Sequence, residues 1–151
     1  MRAIADALQS SAVTLWVGGL WVTGFIFVPL LFSRLGNLVA APIAGRLFEV
    51  IAYVGIGCAA YLIAYRLARF GAGSLKQAFF WIVLVMLACT LAGEFGVQPL
   101  LESLREQALP KEVMESVLRE RFDTWHGIAS GLYVVVSTLG LGLVVLAGKG
   151  R

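Results

Sequence analysis

Charge is what this chain has least of: Asp, Glu, Lys and Arg make up only 14% of its 151 residues, against 60% hydrophobic residues, and the mean hydropathy is +0.88. A soluble domain of this length has too little interior to hide so much apolar surface, so an ordinary soluble protein is excluded and lipid is the expected solvent. Histidine occurs once, as His126. Two imidazoles therefore cannot ligate one haem within a single chain. Neither a Cys-x-x-Cys-His motif nor a zinc-ligand spacing is present, which excludes covalent c-type haem. The two cysteines, Cys58 and Cys89, fall inside apolar runs, where a disulfide of the secreted kind is not expected, and they read as reduced packing residues. No Ser/Pro-rich tract, charge block or repeat marks off a second domain, so the chain reads as one unit. Also missing are a nucleophile beside a base, a phosphate-cradling loop and paired catalytic carboxylates. Gly18-Gly19 reads as a helix packing point and Gly71-Ala72-Gly73 as a turn. No enzymatic activity and no cofactor are expected.

What is there in abundance is long apolar sequence. A spanning helix needs roughly 20 apolar residues at ~1.5 Å each. Four runs qualify, at about 12–32, 47–68, 78–101 and 124–146. They are continuous rather than alternating, and backbone polar groups cannot go unpaired in hydrocarbon, so helices are expected rather than barrel strands. The fold class is all-α: an integral membrane four-helix bundle. Interfacial anchors are expected at Trp16, Trp21, Tyr65 with Arg66 and Arg69, Trp81 and Trp125. Leu38 to Leu47, with Pro42 and Gly45, reads as a bend ahead of the second helix. Between the third and fourth runs, Pro110-Lys111-Glu112 opens a stretch in which Val113, Val117, Leu118, Phe122 and Trp125 recur at helical spacing and Glu115 pairs with Arg119. It reads either as an amphipathic connector on the membrane surface or as an extension of the fourth helix.

The apolar run that follows Met1–Asp6 is too long for a signal-peptide core, so the first helix is expected to be retained. The net charge of +3 is carried by basic residues scattered at helix ends, which suits headgroups and topology; no nucleic-acid partner is expected. The side holding both termini and the Arg66 to Lys76 turn carries Arg2, Arg66, Arg69, Lys76, Lys149 and Arg151 against Asp6 alone. The other side carries as many basic residues but eight acids. Basic counts tie, so the short basic turn decides: the termini are expected in the cytoplasm.

Small residues recur at four-residue spacing in Gly55 and Ala59, in Ala88, Ala92 and Gly96, and in Gly127 and Gly131. Such faces let backbones approach closely, within the chain or between copies. More informative are ionisable groups that encroach on the spans: Arg46 and Glu49, Glu94 with Gln98, and Asp123 with His126. Burying a charge in lipid is costly unless it is paired or wet, and in an up-down bundle all six fall on one membrane face. Arg46 is placed to pair with Glu49 or with Glu94. One reading makes the cluster an interfacial fastening for the bundle; the other makes Glu94 and His126 a proton-accepting or cation-binding pair, since imidazoles as a class exchange protons near neutrality. Cys58, Met86 and Cys89 are weak candidates as soft ligands to Cu(I), with packing the ordinary role of such residues.

Leu15-Trp16-Val17-Gly18-Gly19-Leu20 running to Pro29, Ala44-Gly45-Arg46-Leu47-Phe48, Gly93-Glu94-Phe95 with Gln98-Pro99, and Phe122-Asp123-Thr124-Trp125-His126-Gly127 together resemble the bacterial family of uncharacterised membrane proteins similar to transmembrane protein 205. The resemblance implies four transmembrane helices, no established activity, and Arg46, Glu94 and His126 as the positions that match the family pattern; animal relatives are associated with resistance to platinum drugs. A more distant likeness, through Trp-x-Gly-Gly and Pro29, is to copper-resistance protein D and HemJ-type protoporphyrinogen oxidase. The latter take haem on a first-helix histidine that this chain lacks. The leading expectation is thus a non-enzymatic accessory or structural subunit of a larger membrane complex, or a homo-oligomer, with the lipid bilayer as its constant partner. The alternatives are a cation or metal transport component using Glu94 and His126, and a haem- or quinone-associated oxidoreductase component.

Overall fold

The computed structural model describes residues 2–108 and 116–149, and within them the chain is helical with no strand. Four helices are long and apolar enough to cross a bilayer: Ile4–Gly36, Val39–Lys76, Ala78–Leu104 and Asp123–Gly148. Each contains one of the predicted apolar runs and continues past it, because a helix need not stop where hydrocarbon does; its polar last turns are solvated in the headgroup region. The spans pack in a ring, first on second, second on third, third on fourth and fourth back on first, which leaves first and third, and second and fourth, on the diagonals.

The bend between the first two spans is at Gly36, not in the predicted Leu38 to Leu47 segment. Gly36 adopts φ 68° and ψ 165°, a conformation open to a residue without Cβ. Pro42 then sits inside helix near the start of the second span, where few backbone N–H groups have partners to lose. The second turn, Gly71–Lys76, is a 3-10 helix entered through Gly71 at φ 53°, as the glycine pair there predicts. Of the predicted connector, Pro110 to Glu115 lie outside the described residues. From Ser116 the backbone is helical without interruption to Lys149, so the described part of that stretch is an extension of the fourth helix.

The half of the bundle nearest the termini is closely packed. Trp16, expected as an interfacial anchor, is instead fully buried. The reason is Gly55 opposite it: a Cβ there would lie 2.3 Å from the indole Nε1, so only a bare backbone leaves the slot that the ring occupies. The indole N–H finds no partner among the described residues, a cost of roughly 1–3 kcal/mol that the burial of so large a ring offsets. Leu62, Val83, Met86 and Leu143 complete the interior around it. At the membrane face of this half, Arg66 lies 4.0 Å over the Phe79 ring and donates to Gln77 at 2.6 Å, and Asp6 accepts hydrogen bonds from Tyr65 and Arg69. Trp81 donates to the Leu75 carbonyl at 2.9 Å, as an interfacial anchor would.

Farther along, both odd-numbered spans loosen at matching places. Thr23–Phe27 and Ala92–Val97 are π-helical, and each lies just ahead of a proline, Pro29 or Pro99. Proline lacks the N–H that would bond the carbonyl four residues back and its ring presses on that carbonyl, so the preceding turn widens. The surrounding sequence repeats: Phe25-x-x-x-Pro29-Leu30-Leu31-x-Ser33 and Phe95-x-x-x-Pro99-Leu100-Leu101-x-Ser103. Even the serine contacts match, Ser33 donating to Leu30 O at 2.8 Å and Ser103 to Leu100 O at 2.9 Å. The repeat is too short to mark a domain, but it makes the first and third spans two versions of one kinked helix.

Candidate functional site

Where the packed half ends, at the level of the two π-helical segments, the four spans part around a cavity of about 600 Å³. Two causes combine. The widened turns push backbone aside, and small residues, Ala41, Ala44 and Gly45 from the second span and Ala129 from the fourth, leave the resulting space unfilled. One part of the wall is aromatic and aliphatic, with Trp16, Leu20, Phe25 and Phe48. Another carries the polar groups Thr90, Glu94 and Gln98 from the third span and His126 and Ser130 from the fourth.

The wall is braced by its own hydrogen bonds. Thr90 donates to Met86 O at 2.8 Å and Ser130 to His126 O at 2.9 Å, so both hydroxyls are satisfied within their own helices. Tyr133 crosses to the first span: its hydroxyl donates to the Leu20 carbonyl, and its ring fills a slot at Gly24, where a Cβ would come within 2.2 Å of it. Phe48 meets the same ring edge-on, with centroids 5.1 Å apart. Trp21, stacked on Phe25 at 4.7 Å, donates to Ser137 O at 3.2 Å and ties the same two spans once more. Tyr133 and Gly24 were absent from the residues singled out in the sequence. The available signal was a tyrosine deep in an apolar run, whose hydroxyl must find a partner there.

Of the six predicted polar residues, the structure brings Glu94, Gln98 and His126 to the same cavity. Arg46 pairs with Glu49 at 2.7 Å rather than with Glu94, and its side chain is 80% exposed. Asp123 is exposed and does not line the cavity. Glu94 is half-buried, and no described residue donates a hydrogen bond to its carboxylate. The space is thus an apolar box with a carboxylate, an amide and an imidazole on one side.

The small-residue faces divide. Gly55 and Ala59 are buried in the bundle, whereas Ala88, Ala92, Gly96, Gly127 and Gly131 are exposed on its outside. The sulfur residues are dispersed in role: Cys58 and Met86 are buried in the packed half and Cys89 lines the cavity. Among the described residues no three His, Cys, Asp or Glu side chains are grouped to hold a metal ion.

A family model described as a domain of unknown function (DUF4149) matches residues 11–110. No curated protein and no solved structure matches the chain. The match agrees with the resemblance at the level of an uncharacterised family.

Proposed function

The chain belongs to the family described as a domain of unknown function (DUF4149), an uncharacterised one, and from its cavity we propose that it binds a small, largely apolar molecule between its four membrane spans as the ligand-holding part of a transport system. The observation that carries this reading is the cavity itself. Its volume of about 600 Å³ is that of small-molecule sites, which are typically apolar with a few convergent polar groups, as this one is. The finer likeness to proteins similar to transmembrane protein 205 belongs with this proposal, as does a bacterial inner-membrane setting with cytoplasmic termini, supported by Arg66, Arg69 and Lys76 at the second turn.

Thermal unfolding of the detergent-solubilised protein with triphenylphosphine oxide, a neutral apolar probe of suitable bulk, tests the reading. A saturable rise in melting temperature is expected, and it is expected to vanish in Ala52→Trp, which fills the cavity from its wall. An undiminished shift in the filled variant contradicts it, as does the absence of a shift both with this probe and with its cationic and anionic analogues.

A second reading, assembly with copies of itself or with other membrane proteins, is favoured by the exposed small residues Ala88, Ala92, Gly96, Gly127 and Gly131, whose placement suits close helix approach from outside. The two readings are compatible, since the cavity is formed within one chain.

A further inference from the structure

The repeat in the first and third spans allows the two sides of the cavity to be compared position by position. Aligned on Phe25-x-x-x-Pro29 and Phe95-x-x-x-Pro99, five interior positions of one span match interior positions of the other, while Phe25 lines the cavity and its counterpart Phe95 is exposed outside it. Val13 pairs with Val83 and Trp16 with Met86, all buried in the packed half. Three pairs higher up all line the cavity: Leu20 with Thr90, Gly24 with Glu94 and Val28 with Gln98. In every one of these three the first-span residue is apolar and the third-span residue polar. A cavity between two like helices is thereby given one greasy side and one polar side, and the polarity is confined to the level where the space opens.

Resting on the reading of the cavity as a ligand site, we infer that its ligand is an amphipathic organic cation, an ammonium or other onium centre on an apolar, aromatic-rich body, with the cation at Glu94 and the body against the wall of Leu20, Phe25 and Phe48. A half-buried carboxylate with no hydrogen-bond donor among the described residues is best satisfied by a counter-charge. Among the described residues no basic side chain pairs with it: Arg46 is committed to Glu49 at 2.7 Å. Among the described residues no donor set suits a small metal ion, whereas an onium ion is content with one carboxylate, an amide oxygen and the faces of aromatic rings. The aromatic wall provides those faces, and apolar area on the ligand body adds the larger share of binding.

Three probes of nearly the same shape separate charge from bulk: tetraphenylphosphonium, triphenylphosphine oxide and tetraphenylborate, which are cationic, neutral and anionic. Their apparent affinities are read from concentration-dependent melting shifts of the solubilised protein. The cation is expected to bind at least ~10-fold more tightly than the neutral probe, about 1.4 kcal/mol, and the anion more weakly than either. In Glu94→Gln the cation's advantage is expected to disappear while the neutral probe binds as before; Glu94→Asp is expected to keep most of it. Equal binding of cation and neutral probe, preference for the anion, or an advantage that survives Glu94→Gln overturns the inference and leaves the ligand-binding reading intact. Binding of none of the three defeats both.

Discussion

Gly55 and Trp16 lie on different spans, and the fit of one to the other fixes how closely the first two helices approach. Gly55→Val would drive a side chain into the indole, so a loss of about 1–3 kcal/mol in resistance to thermal or denaturant unfolding is expected. Gly57→Ala, which meets nothing within 4 Å, serves as the control and should be neutral or slightly stabilising. Tyr133→Phe removes the hydroxyl that reaches the Leu20 carbonyl across the cavity wall and should cost about 0.5–1.5 kcal/mol by the same measurement. These residue-scale contacts were only half legible. That Glu94, Gln98 and His126 are costly in lipid follows from their chemistry, and the structure brings them to one cavity. That Trp16 is interior rather than interfacial does not follow, because its partner is a glycine, a residue that carries no signal of what it faces.

At the scale of single helices, the hydrophobic runs located the spans because burial in lipid demands continuous apolar sequence whatever the neighbours are. Breaks and distortions were harder to read. Gly36, not Pro42, makes the bend, since a proline near a helix start is harmless while a positive φ is decisive. The π-helical segments ahead of Pro29 and Pro99 leave no trace in composition, and the repeat that betrays them is a few residues scattered among generic aliphatic ones. If Pro99 causes the widened turn, Pro99→Ala should regularise the third span. Glu94 and Gln98, which lie within or directly after that turn, would rotate about the helix axis away from the cavity. Binding of the cationic probe should then fall by roughly 10-fold with the protein still folded, a loss readable in the same melting assay. Unchanged binding would show that the turn is set by neighbouring helices instead.

Across the whole molecule, four antiparallel spans were readable from the sequence, but the division into a packed half and a parted half was not. Cavity volume depends on how far four backbones stand apart, and no one-dimensional pattern reports that distance. The topology places Arg46 and His126 near one membrane face and Lys76 near the other. Cysteines substituted there in intact vesicles should therefore label from opposite sides, positions 46 and 126 together and position 76 apart. Most direct for the account as a whole is the rate at which a small cationic methanethiosulfonate modifies cysteines placed along the bundle interior, in a chain lacking Cys58 and Cys89. Thr90→Cys and Ser130→Cys, in the cavity wall, are expected to react from the face that carries Arg46, and more slowly when tetraphenylphosphonium is present. Val83→Cys and Leu143→Cys, in the packed half, are expected to stay unmodified. Four positions that react alike, or cavity positions that remain inert, would contradict the existence of an accessible chamber between the spans.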